Sequence, residues 1–211
     1  MAVIPKLIGI SPGDHGCGRT LSWLIQGAVN GGLQGIILRE PHLSRAAYVE
    51  LARRLSPLFG TGLILHASHD DALEVAERSG WGIHLPASVE WAGVRQSVSG
   101  LLGISCHTLD DLKLAEDAGA DYATFSPVFG PLSKPNDRRP TLGPKGIDDA
   151  VDHTSIPIIA VGGITTDNAA QVGHTRCHGI GSMGHLFPED ADADLTEERA
   201  ASLIAAFSEA R

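Results

Sequence analysis

The residues of this chain best suited to chemistry fall in four short groups, each following an apolar run. The first is Gly162-Gly163, after Pro157-Ile158-Ile159-Ala160-Val161 and before Ile164-Thr165-Thr166-Asp167. Without side chains the two glycines let backbone N–H groups approach a phosphate closely, although a tight turn explains them equally well. Thr165, Thr166 and Asp167 stand where the next helix is expected to begin, adding cap chemistry and the positive end of a helix dipole. The second group follows Tyr122-Ala123-Thr124-Phe125-Ser126-Pro127-Val128-Phe129, where Ser133 and Lys134 place a hydroxyl beside a cation. With Arg138, Arg139 and Lys145 they concentrate positive charge in one stretch of an acidic chain, which favours an anionic ligand.

The third group is Arg39-Glu40, at the end of Gly35-Ile36-Ile37-Leu38. A guanidinium fork matches phosphate oxygens, while Glu40 either pairs with Arg39 or has a functional role. The fourth comprises His66, His84 and His107, at the ends of three successive apolar runs. Imidazole titrates near neutrality and suits proton transfer, and a structural hydrogen-bonding role is the alternative for any one of them. Metal binding by this trio is weakly supported: no carboxylate ends a strand among them, and Asp70 and Asp71 fall inside the next expected helix. Cys106 alternates with Ser105 and His107, so it is expected to pack between strands and helices. Asp190, Asp192 and Asp194 read as a solvated linker.

Periodicity places these groups. Short apolar strands are expected over 6–11, 35–40, 62–67, 82–85, 101–107, 122–129, 158–161 and 177–183. Helical spacing fits 19–30, 43–58, 70–79, 88–97, 108–119, 145–153, 167–172 and 197–207, and 130–143 is the longest loop. Eight βα units in roughly 200 residues predict a single α/β domain, a (β/α)8 TIM barrel over 1–211. A doubly wound sheet is the alternative, but near-equal units without a composition break favour closure. Barrel chemistry lies at the C-terminal ends of the strands, where all four groups fall.

The bulk composition narrows the partners. A formal charge of −9 argues against nucleic acid and membrane surfaces as partners. No run approaches the roughly 18 apolar residues of a membrane span, and the N-terminal apolar run is too short for a signal peptide. Cys17, Cys106 and Cys177 are odd in number and widely spaced, so a reduced cytoplasmic protein without a disulfide framework or zinc site is expected. A small phosphorylated molecule is the expected ligand, and a homodimer is compatible with the sequence.

Tyr122-Ala123-Thr124-Phe125-Ser126-Pro127-Val128-Phe129, Ser133-Lys134-Pro135 and Ala160-Val161-Gly162-Gly163-Ile164-Thr165 together resemble the thiamine phosphate synthase and TenI-like superfamily. Leu38-Arg39-Glu40, Gly103-Ile104-Ser105-Cys106-His107-Thr108 and Gly119-Ala120-Asp121-Tyr122 agree, in order along nearly the whole chain. The resemblance implies a (β/α)8 barrel that binds thiazole phosphate at the ends of strands seven and eight. Gly162, Gly163 and the backbone around Met183 and Gly184 would hold that phosphate. Arg39, Ser105, Ser133 and Lys134 match positions that handle the pyrimidine diphosphate in synthases.

The departures cluster in the diphosphate half. Where the synthase pattern has Gln-Leu-Arg-Glu-Lys, this chain has Ile37-Leu38-Arg39-Glu40-Pro41. Asn-Asp-Arg becomes His66-Ala67-Ser68, and His-Leu-Gly-Gln-x-Asp becomes His84-Leu85-Pro86-Ala87-Ser88-Val89, so two magnesium-ligand positions are lost; a loop threonine becomes Pro131. Leu85-Pro86 also resembles the TenI-like branch, whose thiazole tautomerases move a proton, although that branch's histidine position holds Pro127 here. The leading expectation is therefore a cofactor-free thiazole phosphate tautomerase, an isomerase using His107, His66 or His84. A magnesium-dependent thiamine phosphate synthase is the first alternative, and a non-catalytic regulator that binds thiazole or thiamine phosphate is the second.

Overall fold

The computed structural model describes residues 3–13, 21–88, 90–130 and 140–211. Its eight strands are β1 (Leu7–Ile10), β2 (Gly35–Leu38), β3 (Leu63–His66), β4 (Gly82–Leu85), β5 (Leu102–Cys106), β6 (Tyr122–Phe125), β7 (Ile158–Val161) and β8 (Gly179–Ser182). All neighbours pair in parallel, and β1 closes on β8 through Leu7↔Ile180 and Ile8↔Gly181, so the sheet is a closed barrel. Between and after the strands lie α1 (Leu21–Asn30), α2 (Arg45–Phe59), α3 (Ala72–Ser79), α4 (Val94–Ser97), α5 (Leu109–Asp117), α6 (Gly143–His153), α7 (Ala169–Gly173) and α8 (Ala193–Glu209). The protein is a (β/α)8 TIM barrel.

Alternation along each strand makes two cores. Ile8, Ile37, Ile64, Leu101, Tyr122 and Ile159 fill the barrel interior. Their strand neighbours, such as Leu7, Ile36, Leu65, Ile104 and Ala160, pack outward against the helices. Cys106 joins that outer layer, as its alternation requires. Each fully buried Leu or Ile contributes about 1.5–3 kcal/mol, so both layers enforce the register that fixes which side chains reach the mouth.

Most strands are shorter than their apolar runs. β6 stops at Phe125, two residues before Pro127, which has no N–H for the ladder. The expected helix over 88–97 is a single turn, Val94–Ser97, entered through Gly93 at φ 81°. The expected helix at 167 starts at Ala169, because Thr165–Asn168 form a turn. Asp192 is no linker residue: its carboxylate accepts the Leu195 N–H at 2.9 Å and caps α8, while Asp194 lies in the first turn. Among the described residues, no helix is long and apolar enough to cross a membrane.

Candidate active site at the barrel mouth

The C-terminal ends of the strands surround a cavity of about 510 Å³. Arg39, His66, His84, Ser105, Thr124, Ser126 and Met183 face it, above a floor that includes Ile10, Ile37 and Val161. A larger hollow lies outside the barrel, between residues 87–96 and α5. Its cation among the described residues, Arg95, is already bonded to Asp121 at 2.7 Å and to the Val98 and Gly100 carbonyls. Convergent polar groups make the mouth the candidate site.

Arg39 is half-buried, and its guanidinium has no acidic partner among the described residues. Its backbone N–H donates to Ser11 Oγ at 2.7 Å, fixing the end of β2 against β1. Glu40 does not pair with it. Buried at 3% exposure, Glu40 accepts the Gly13 N–H at 3.1 Å through Oε1, and Oε2 lies 3.6 Å from His42 Nδ1. The carboxylate therefore clamps the β1 loop and leaves Arg39 available to an anion.

The three histidines divide into three environments. Nδ1 of His66 accepts the Ser68 N–H at 3.0 Å, which puts the proton of the neutral ring on Nε2. Burial, then the charge of Arg39, pushes its pKa down to about 4, so His66 is a neutral donor at physiological pH. His84 is buried, with Nδ1 3.1 Å from Tyr122 Oη and Nε2 2.9 Å from Ser105 Oγ. Burial, then His66, pushes its pKa down to about 3. Both ring nitrogens of His84 are thus engaged by protein partners, and Ser105 links the ring to the mouth.

His107 departs from the expected arc. β5 ends at Cys106, and the chain turns into α5 through a capping box in which Thr108 Oγ1 accepts the Asp111 N–H and Asp111 accepts back. His107 is left exposed on the rim and does not line the cavity. Its Nδ1–H donates to the Ser126 carbonyl at 2.9 Å, so the Nε2 lone pair is open. By hydrogen-bond direction, it is the base-competent histidine of the three.

Gly162 and Gly163 have φ of 105° and 63° and are pressed against the loop after β6. A Cβ on Gly163 would lie 2.3 Å from the Gly130 carbonyl oxygen, and one on Gly162 would lie 2.8 Å from Pro127 Cα. Close packing and positive φ thus both demand glycine here. Asn168 secures the turn by accepting the Thr165 N–H and donating to the Gly163 carbonyl, each at 2.9 Å. The N–H groups of Gly163, Ile164 and Gly184 have no acceptor among the described residues. The expected helix dipole is weaker than the sequence suggests, because α7 has five residues. On the β8 side His185 Nε2 accepts the Thr166 N–H at 3.4 Å, bridging the loops after β7 and β8. Burial and then Arg199 lower its pKa, against Asp167.

Ser133, Lys134, Arg138, Arg139, Pro131, Cys17 and Val89 lie outside the described residues. Tyr122 and Thr124 are the site residues that sequence reasoning missed. Both occupy inward positions of β6, so the same alternation that placed Cys106 outward could have found them.

Magnesium, which the resemblance attaches to the synthase reaction, takes oxygen ligands. No carboxylate lines the described mouth: Glu40 holds Gly13, Asp71 pairs with Arg45, and Asp70 is exposed. No three His, Cys, Asp or Glu residues cluster as a metal site among the described residues. The residues present there do not fit the ion.

Comparison with known proteins bears on the family and the fold. The chain is 33% identical over 178 residues to a thiamine-phosphate synthase of Chloroflexus aurantiacus, covering 82% of this chain and 81% of that one. It is 35% identical over 163 residues to a thiamine-phosphate synthase of Moorella thermoacetica, covering 74% and 76%. Thiamine phosphate pyrophosphorylase from Pyrococcus furiosus shares the fold with a TM-score of 0.78 at 22% identity, covering 97% of this chain and 96% of that one. Residues 8–186 match the thiamine monophosphate synthase family, and the chain belongs to it.

Proposed function

We propose that this chain is an enzyme of thiamine phosphate formation that seats a phosphorylated thiazole across the barrel mouth. The phosphate would lie against Gly163, Ile164 and Gly184, and the reacting ring would face Arg39, Ser105 and His66. One observation carries the reading: a guanidinium without an acidic partner among the described residues faces the cavity, and the unbonded N–H groups of Gly163, Ile164 and Gly184 follow closely in the chain on Val161 and Met183, which line it, in a chain whose relatives are named thiamine-phosphate synthases.

Joining an aminopyrimidine diphosphate to the thiazole phosphate, with release of diphosphate, is the activity those names support, and it stands first. Within it, Arg39 balances diphosphate charge, Ser105 orients a ligand acceptor, and neutral His66 donates a hydrogen bond from Nε2. A second reading, metal-free tautomerisation of a thiazole carboxylate phosphate, is supported by the described mouth residues, which include no carboxylate, and by the open Nε2 of His107. His107 or a ligand-bound water would then accept the proton.

The test is to incubate the purified chain with both substrates of the joining reaction, with and without magnesium, and to assay the thiazole carboxylate phosphate separately. Thiamine phosphate in the first assay supports the synthase. Turnover only in the second replaces it with the tautomerase. Binding without turnover in either overturns both and leaves a phosphate-binding regulator.

A further inference from the structure

Tyr122 and His84 cross the barrel interior immediately beneath the mouth, and the interior is shaped around them. A Cβ on Gly103 would fall 2.2 Å from Tyr122 Cζ and 2.5 Å from His84 Nδ1, so only glycine leaves room for the pair. The Tyr122 hydroxyl is sealed from solvent, and His84 Nδ1, at 3.1 Å, is its one hydrogen-bond partner among the described residues. His84 Nε2 lies 2.9 Å from Ser105 Oγ, which faces the cavity. Thr124 Oγ1, at 3.5 Å from the same nitrogen, is too distant to compete.

A neutral imidazole carries one proton, so the three groups can be bonded in two directions. In one, Tyr122 donates to Nδ1, and Nε2–H donates to Ser105. In the other, Ser105 donates to Nε2, and Nδ1–H donates to Tyr122. The second direction leaves the phenolic proton without an acceptor in a dry interior, which disfavours it by about tenfold or more. Burial keeps the ring neutral, with its pKa pushed down to about 3, so a doubly protonated ring does not intervene. In the favoured direction Ser105 is an acceptor toward His84, and its own hydrogen is left for the cavity.

We propose that Tyr122 and His84 are positioning residues that fix the His84 ring with its proton on Nε2 and thereby commit Ser105 to donating into the mouth. The mouth then selects a ligand with an acceptor at that point, either a phosphate oxygen or an unprotonated ring nitrogen. The ligand's identity rests on the function proposed above; the direction of the hydrogen bonds does not.

Long-range proton–nitrogen spectra of the ligand-free protein with 15N-labelled histidine test the direction at pH 7. The expected result is a His84 ring protonated at Nε2 in the wild type and a mixed tautomer population in Tyr122→Phe. A wild-type ring protonated at Nδ1, or an unchanged tautomer in Tyr122→Phe, overturns the proposal. Calorimetry with thiamine monophosphate tests the consequence. Ser105→Ala should weaken binding about tenfold, Tyr122→Phe should weaken it by less, and the double variant should match Ser105→Ala alone. Additive losses would show that Tyr122 acts independently of Ser105 and would overturn the coupling. If the wild type does not bind thiamine monophosphate, the ligand assignment fails while the spectra still decide the hydrogen-bond direction.

Discussion

Replacing Arg39 with methionine separates two effects expected of one guanidinium. Methionine keeps an unbranched apolar stem, so packing at the end of β2 is preserved and the Ser11 bond to the backbone N–H is untouched. The first effect is on the ligand. A hydrogen bond to a charged group contributes about 1.5–3 kcal/mol, and no described acidic residue competes for Arg39. Arg39→Met should therefore weaken thiamine monophosphate binding by roughly 10- to 150-fold and flatten its dependence on salt. The second effect is on His66, whose pKa is pushed down to about 4 by burial first and Arg39 second. Removing the charge should raise that pKa but leave it below 6.5, because burial remains. Calorimetry at two salt concentrations and an NMR titration of the His66 ring check both effects. Binding within twofold of wild type would refute the assignment of Arg39 to the anion. A His66 titration that does not move would refute the electrostatic coupling between Arg39 and the ring.

Further outcomes follow from the same contacts. His66 binds its proton less readily in the folded than in the unfolded state, so its contribution to stability is fully present above about pH 6.5 and is lost as pH falls toward 4. Holding a pKa at about 4 instead of 6.5 corresponds to about 3 kcal/mol; urea titrations across that window should show the decline, and a flat profile would contradict the buried neutral ring. Gly163→Ala forces a side chain into positive φ and against the Gly130 carbonyl, so it should cost about 1–3 kcal/mol in urea unfolding and also weaken phosphate binding. A fully stable variant would show that the β6 and β7 loops separate freely. Thr108→Ala removes the α5 capping box and should cost about 1 kcal/mol without altering ligand affinity. A change in affinity would place α5 closer to the ligand than the structure does.

Much of the architecture was legible in the residues. Gly82–Leu85 and Ile158–Val161 matched their strands residue for residue, because each is a compact apolar run bounded by turn residues. Boundaries failed where a local bond competed with the pattern: the Thr108 box ended β5 early, and the turn held by Asn168 delayed α7. The site was legible in part. Arg39, Gly162 and Gly163 announced themselves by residue type, whereas Tyr122 and Thr124 look like ordinary strand residues.

The sequence by itself determined the eightfold alternation, the strand ends that carry chemistry and the family, since these depend on period and residue type along the chain. Only the tertiary structure decided what each polar group can do. Three histidines of equal appearance became a neutral donor, an enclosed positioning residue and an exposed rim residue, through partners 2, 19, 21 and 38 positions away. Barrel closure brings those partners together, and the direction of a hydrogen bond depends on which groups meet in space, which the order of the residues does not encode.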